Sequence, residues 1–412
     1  MKVLHTSDWH LGRSLYGQKR YGEFSQFLDW LAVTIEAERV DILLVAGDIF
    51  DTGTPSNRAQ SLYYQFLCRV AASSCRHIIV IAGNHDSPTF LDAPKALLRS
   101  LNVHVIGAAT DNIDDEILLL KDAEGSPELL VCAVPYLRDR DIRLVEAGES
   151  SADKDHKLLE GIRDHYHQVA ALAQDQRRAL GFDIPIIAMG HLFTAGGQTI
   201  DGDGVRELYV GSLAHVNASI FPSCIDYVAL GHLHVPQQIG GSELMRYSGS
   251  PLAMGFGEAR QQKSVCLLQF PHRAVGKPAL VLLPVPVFQR LSKVSGNWVE
   301  IVQQLSALIE LDQPVWLEVI YRGDELVSDL RERLETLVEG SELLILRIQN
   351  TRLIDRVLNS SHSDESLEDL SVDDVFARCL SAHDIPESQQ ANLLHSYRQT
   401  LSSLHDDDLR AE

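Results

Sequence analysis

The sequence has no closely spaced cysteines. Its six, Cys68, Cys75, Cys132, Cys224, Cys266 and Cys379, are scattered over 412 residues. Without a Cys-x-x-Cys pair, reduced thiols in a cytosolic protein fit better than a disulfide framework or a thiolate zinc site. No apolar run approaches the roughly 20 residues that span a bilayer. The opening Met1-Lys2-Val3-Leu4-His5-Thr6-Ser7-Asp8 holds no apolar signal core, so the expectation is a cytoplasmic chain with no membrane partner. Basic residues are scarce, 36 Lys and Arg against 57 Asp and Glu, for a net charge of −21. That excludes a protein that holds nucleic acid by bulk charge alone. It leaves open an enzyme whose positive field comes from bound divalent cations or a basic partner. There is no Gly-x-x-x-x-Gly-Lys-[Ser/Thr] loop, since Gly276-Lys277 is followed by Pro278. ATP is therefore not expected to bind this chain.

What is present is ordinary for a globular protein: 45% apolar and 23% charged residues, in a length that suggests two or three domains. Lys2–Thr6, Asp41–Ala46 and His77–Ala82 read as strands, with helices between them. Phe24, Phe27, Leu28, Leu31 and Ile35 fall at helical spacing, and Gln60–Ala71 also reads as a helix. Such alternation predicts βαβ units and a sheet buried on both faces. Glu128–Pro135, Ile184–Met189, Tyr227–Leu230 and Val265–Phe270 continue the strands. The predicted fold is α/β: a two-layered sheet core flanked by helices over 1–270, a small α/β domain over 279–352, and an acidic helical tail over 355–412. Pro271–Pro278 reads as a linker. The tail holds 13 acidic and 4 basic residues. Leu393, Tyr397, Leu401 and Leu404 form an apolar stripe along one of its helices.

Five short motifs each follow an apolar run: Asp8-Trp9-His10, Gly47-Asp48-Ile49-Phe50-Asp51, Gly83-Asn84-His85-Asp86, Gly190-His191 and Gly231-His232-Leu233-His234. In an α/β sheet the loops at the carboxyl ends of strands converge on one rim. Each motif alone is a common turn signal; together they gather aspartates, an asparagine and five histidines. Aspartates crowded in this way repel and shift one another's pKa. Divalent metal is the simplest compensation. Carboxylate, imidazole and amide ligands without thiolate suit Mn²⁺, Fe²⁺ or Zn²⁺, and they suffice for two ions. Two ions about 3.5–4 Å apart can clamp both oxygens of an in-line displacement at phosphorus. Arg13, Lys19 and Arg20 follow the first motif and are candidates for DNA phosphates. Arg138, Arg140 and Arg143 alternate with acids and read as a self-compensated loop. His156, His165 and His167 read as solvated.

In this order the motifs resemble the calcineurin-like metallophosphoesterases. The stretches LHTSDWHLGR, AGDIFDTGTPS and IAGNHDSP, with the late Tyr247-Ser-Gly-Ser-Pro251, resemble more narrowly the nuclease subunits of bacterial complexes that process DNA ends. The resemblance implies that Asp8, His10 and His234 bind a first metal and that Asp48 bridges. It implies that Asn84, His191 and His232 complete the second site. His85 is then the catalytic residue that stabilises the phosphorane or protonates the leaving oxygen, with Asp86 as its orienting partner. Some relatives have histidine where this chain has Asp51, which is left a supporting role. The resemblance further implies two divalent ions, manganese foremost. It implies 3′→5′ exonuclease action on duplex DNA and endonuclease action on single strands and hairpins, in repair and recombination. The implied partners are DNA, a coiled-coil ATPase bound through the tail, and a second copy of the chain within a heterotetramer. The alternatives are an enzyme for small phosphoesters or cyclic nucleotides and a non-catalytic scaffold on the same fold.

Overall fold

The computed structural model describes residues 1–110, 112–142, 150–181, 183–194, 197–199, 216–271, 277–323, 329–350 and 397. The chain divides into two units, Met1–Phe288 and Gln289–Glu412. Among the described residues no helix is long and apolar enough to cross a membrane, and Cys68, Cys75, Cys132, Cys224 and Cys266 are free thiols. The acidic tail, apart from Tyr397, lies outside the described residues, as do Arg143 and Cys379.

The strands of the two main sheets of the first unit are β1 (Lys2–Thr6), β2 (Ile42–Ala46), β3 (His77–Ile81), β4 (Val103–Ile106), β5 (Ile117–Lys121) and β6 (Pro127–Ala133). They continue with β7 (Ile186–His191), β8 (Tyr227–Gly231), β9 (Gln237–Ile239), β10 (Ser242–Tyr247), β11 (Ser264–Gln269) and β12 (Ala279–Pro284). They form two six-stranded sheets, ordered β12-β11-β1-β2-β3-β4 and β9-β10-β8-β7-β6-β5. Side-chain alternation explains why both faces of each sheet are apolar. Ile42, Leu44, Ala46, Ile79 and Ile81 meet Val131, Ala133, Ile187, Met189 and Ala229 between the sheets. Leu43, Val45, Ile78 and Val80 point the other way, onto α1 (Tyr21–Glu38) and α2 (Asn57–Ala71). Ile186, Ala188, Val228 and Leu230 pack against α3 (Ser151–Leu180). The result is helix, sheet, sheet, helix, as expected. The predicted residues of α1, from Phe24 to Ile35, are all buried. Ser56 caps α2, and Ser150 with Asp153 forms a capping box on α3.

Two details differ from the sequence reading. Ala279–Pro284, read as the start of the small domain, pairs antiparallel with β11 at the edge of the first sheet. Leu283, Val285 and Phe288 pack into the first core, so the first unit runs beyond residue 270. Pro284 is tolerated there because an edge strand has one side that needs no ladder bond. His165, read as solvated, is buried in α3, with Nε2 2.7 Å from the equally buried Glu116 carboxylate.

The second unit is β13 (Arg290–Gly296), α4 (Trp298–Ile309), β14 (Val315–Tyr321), α5 (Leu330–Val338) and β15 (Leu343–Asn350). All three strands are parallel, with β14 central. Val315, Leu317, Val319 and Tyr321 pack with Ile301, Leu305, Leu330 and Leu334. Strict alternation along Leu344, Leu346 and Ile348 is broken by a bulge. Leu317 pairs with Ile345, but Glu318 pairs with Arg347. Leu346 is the extra residue, and it switches the faces of everything after it.

The parallel strands β1, β2 and β3 of one sheet, and β7 and β8 of the other, end on the same rim. There the sheets approach so closely that side chains are excluded. A Cβ on Gly231 would lie 1.9 Å from the Ala46 carbonyl oxygen, and one on Gly83 would lie 2.2 Å from Asp48 Oδ1. We expect Gly231→Ala to destabilise the protein by roughly 3 kcal/mol, the upper range for an inserted methyl in a packed interior. Chemical denaturation checks this; an unchanged midpoint would contradict the close approach.

Candidate metal centre

The rim loops are bent by backbone that ordinary side chains rarely adopt. Asp8, His10, Asp48 and His232 all have positive φ, at 54°, 47°, 51° and 105°. Such conformations cost on the order of 1–3 kcal/mol each and persist only where surrounding structure enforces them. Here the enforcement is visible. Asp8 N–H donates to the Gly47 carbonyl at 3.0 Å, His10 N–H to Asp48 at 3.0 Å and Leu11 N–H to Ile49 at 2.9 Å. Trp9 turns into the core, with Nε1 donating to Thr6 Oγ1 at 3.0 Å and its ring edge-on to Phe27 and Phe66. That anchors the residue between Asp8 and His10.

Asp86 completes the scaffold. Its carboxylate accepts from Ile49 N–H at 3.1 Å, Phe50 N–H at 3.0 Å and Gly83 N–H at 2.9 Å. It ties the second and third motif loops together, where the resemblance made it the orienting partner of His85. The orienting acceptor is the backbone carbonyl of Asp51, 2.8 Å from His85 Nδ1. That bond places the His85 proton on Nδ1. The backbone N–H of His85 donates to Asp48 Oδ1 at 2.9 Å.

Two groups of donor atoms adjoin. Asp8, His10 and His234 form one, and Asp48, His191 and His232 the other; all six side chains are buried. In the first, His10 Nε2 and His234 Nε2 face each other at 3.1 Å. In the second, Asn84 Oδ1 lies 3.0 Å from His191 Nε2 and 3.2 Å from His232 Nδ1. Asp48 stands between the groups, with Oδ2 3.6 Å from His10 Nε2 and 3.3 Å from His191 Nε2. His191 Nδ1 donates to the Ala46 carbonyl of the opposite sheet at 2.9 Å, which turns Nε2 inward. His232 N–H donates to Asp8 Oδ1 at 2.9 Å, a further tie between the sheets. The structure thus gathers all seven expected ligand residues on one rim, with His85 beside His10 at a ring separation of 4.8 Å. Asp51 comes closer than its supporting role suggested, with Oδ1 3.5 Å from His10 Nδ1.

The donor set fits a divalent cation. It brings imidazole nitrogens, carboxylate oxygens and the Asn84 amide oxygen together without a thiolate, a mixture that suits Mn²⁺, Fe²⁺ or Zn²⁺. The carboxylates are under visible electrostatic stress. Burial, with Asp48 nearby, pushes Asp8 up to about 6. Burial also pushes Asp86 up to about 6, against its three N–H donors. Asp48 is held well below the usual range despite its burial, because His191, His10 and His85 surround it. Burial disfavours a charged His191, yet Asp48 and Asp8 raise it to about 9. Burial and the neighbouring His191 lower His232 to about 3.

The flanking basic residues divide. Arg13 pairs with Asp51 at 3.3 Å on the rim. Arg20, a candidate for DNA, is instead buried and holds Glu23 through bonds of 2.8 and 2.9 Å. Sequence reasoning missed Ser7, whose hydroxyl donates to Asp8 and meets Ser248 Oγ at 2.8 Å. A serine beside an aspartate carries no distinguishing signal. It also missed Tyr136, edge-on to His191 at 6.5 Å.

The protonation pattern makes a prediction. A cation entering the second group must displace the proton that Asp48 keeps on His191 up to about pH 9. In the first group it must compete for Asp8, which is partly protonated near pH 6. Metal uptake at pH 7 should therefore release protons, and affinity should rise with pH. Manganese titration calorimetry in buffers of different ionisation enthalpy measures both; no proton release, with constant affinity from pH 6 to 8, would contradict it.

Comparison with known proteins covers nearly the whole chain. The family model for calcineurin-like phosphoesterases matches residues 1–236, and one described as a type 5 capsule protein repressor C-terminal domain matches residues 287–384. The SbcD protein of the SbcCD nuclease from Escherichia coli K12 is 38% identical over 98% of this chain and 98% of its own. Its namesake from Rhodobacter capsulatus is 33% identical over 85% of this chain and 88% of its own. The Bacillus subtilis protein of that name is 38% identical over 65% of this chain and 66% of its own. The chain belongs to the calcineurin-like phosphoesterases and, within them, to the SbcD family of SbcCD nucleases.

Proposed function

We propose that this chain is a two-metal phosphodiesterase that hydrolyses DNA as the nuclease subunit of an ATP-dependent complex. The observation that carries the proposal is the pair of adjoining donor groups with Asp48 between them. Asp8, His10 and His234 hold one ion. Asn84, His191 and His232 hold the other, and Asp48 touches both. Two bound ions supply a clamp on the attacking and leaving oxygens of an in-line displacement. Manganese is the proposed metal, in keeping with the mixed nitrogen and oxygen ligands. His85, with Nδ1–H held by the Asp51 carbonyl, presents Nε2 to the phosphate; as the imidazolium it stabilises the phosphorane or passes its Nε2 proton to the leaving oxygen.

DNA is favoured over small phosphoesters because similarity to the nucleases spans nearly the whole chain, including the second unit. The proposed activities are 3′→5′ exonuclease action on duplex ends and endonuclease action on single strands and hairpins. The proposed assembly is a heterotetramer of two nuclease chains and two coiled-coil ATPase chains.

His85→Ala should retain both metals and bind DNA, yet cleave at least ~100-fold more slowly, the lower bound for losing an acid–base group. Asp48→Ala should lose metal and activity together. Elemental analysis beside manganese-dependent degradation of linear duplex separates the two; loss of one ion in His85→Ala would make His85 a ligand. Truncation after Arg356 removes most of the acidic charge of the tail. It should leave a manganese-dependent single-strand nuclease that no longer co-purifies with the ATPase, and undiminished co-purification would exclude the tail as the docking segment.

A further inference from the structure

The motif Tyr247-Ser-Gly-Ser-Pro251 and the residues after it hold polar groups that the chemistry above does not use. Ser248, Ser250, Glu258 and Lys263 are all buried. Ser250, Glu258 and Lys263 converge beneath His234. Lys263 Nζ donates to the His234 backbone carbonyl at 2.9 Å, to Ser250 Oγ at 3.1 Å and to Gln261 Oε1 at 3.3 Å, and it pairs with Glu258 Oε2. Glu258 Oε2 also accepts from Met254 N–H at 3.2 Å and Ser250 Oγ at 3.5 Å. Ser250 N–H donates to the same His234 carbonyl at 3.1 Å. The other Glu258 oxygen, Oε1, lies 3.8 Å from His234 Nδ1, while His234 Nε2 faces His10.

A buried Lys–Glu pair gains little over apolar residues of the same shape, because each ion gives up its hydration. Stability alone does not account for one placed directly under a candidate ligand. A histidine donates a lone pair from one nitrogen only when the other carries the proton, and the partner of the far nitrogen decides which. We infer that Glu258 is a positioning residue for His234. Its carboxylate keeps the proton on Nδ1 and the Nε2 lone pair turned toward Asp8 and His10. Lys263 pairs with that carboxylate and, with Ser250, fixes the His234 backbone. This rests on His234 being a ligand.

The test uses the full chain and Mn²⁺ alone. Glu258→Gln keeps the shape and removes the charge. We expect one of two ions to bind ~10–100-fold more weakly, the range for loss of a ligand's supporting partner, with the other unchanged. Excess manganese should restore the rate, so that the metal requirement rises while kcat holds. Unchanged affinity for both ions, or equal weakening of both, overturns the inference. His234→Ala separates it from the site assignment: if that variant keeps both ions, His234 is no ligand; if it loses one while Glu258→Gln binds normally, only the role of Glu258 falls. Should Glu258→Gln not fold, nitrogen-15 NMR of the metal-free parent still decides. A His234 proton on Nδ1 supports the inference, and one on Nε2 refutes it.

Discussion

Asp8, Asp48 and Asp86 lie on one rim with almost no water around them, and the rest of the first unit is arranged around that crowding. Each carboxylate is accommodated differently. Asp86 is surrounded by three backbone N–H groups and serves as a knot between loops. Asp48 is enclosed by histidines that hold it ionised. Asp8 receives a hydroxyl and one backbone N–H, and it is the one driven toward protonation. Burial would neutralise an isolated carboxylate; neighbours decide which of these stays charged and is ready to take a cation.

The fold supplies the geometry by bringing two parallel sheet edges face to face. Glycines at 47, 83 and 231 let backbone approach where any Cβ would collide with Asp48, His191 or the Ala46 carbonyl. Asp48 and His232, beside two of them, carry left-handed backbone. That strain is offset by the loop-to-loop hydrogen bonds and by Trp9 in the core. Pre-organisation of this kind fixes donor atoms before any ligand arrives.

Much of this was legible in the sequence because it depends on local pattern. The apolar runs that end at Gly47 and Gly83 marked strands and their carboxyl ends, and Phe24 through Ile35 marked a helix. The five motifs marked the residues that meet on the rim, because their chemistry is unusual in combination. What was not legible depends on distant partners. His165 meets Glu116 across 49 residues, so its polar neighbours in sequence misled. Arg20 is buried with Glu23 although both look exposed. The role of Asp86 rests on backbone N–H groups, which no residue letter reveals. Leu280–Leu283 could pair with either unit by its pattern, and the bulge at Leu346 reverses a parity that simple alternation assumes.

The two donor groups draw from both sheets: Asp8, His10, Asp48 and Asn84 follow strands of one, and His191, His232 and His234 belong to the other. A cation held by such a set is a cross-link between layers otherwise joined by van der Waals contact and a few hydrogen bonds. Separating the layers would then require releasing the ion. By mass action a ligand at 100 times its dissociation constant adds about 2.7 kcal/mol to the folded state. The same ions that make the rim reactive would therefore rivet the sandwich, and chelation would loosen the whole first unit, leaving its inter-sheet core more open to proteases.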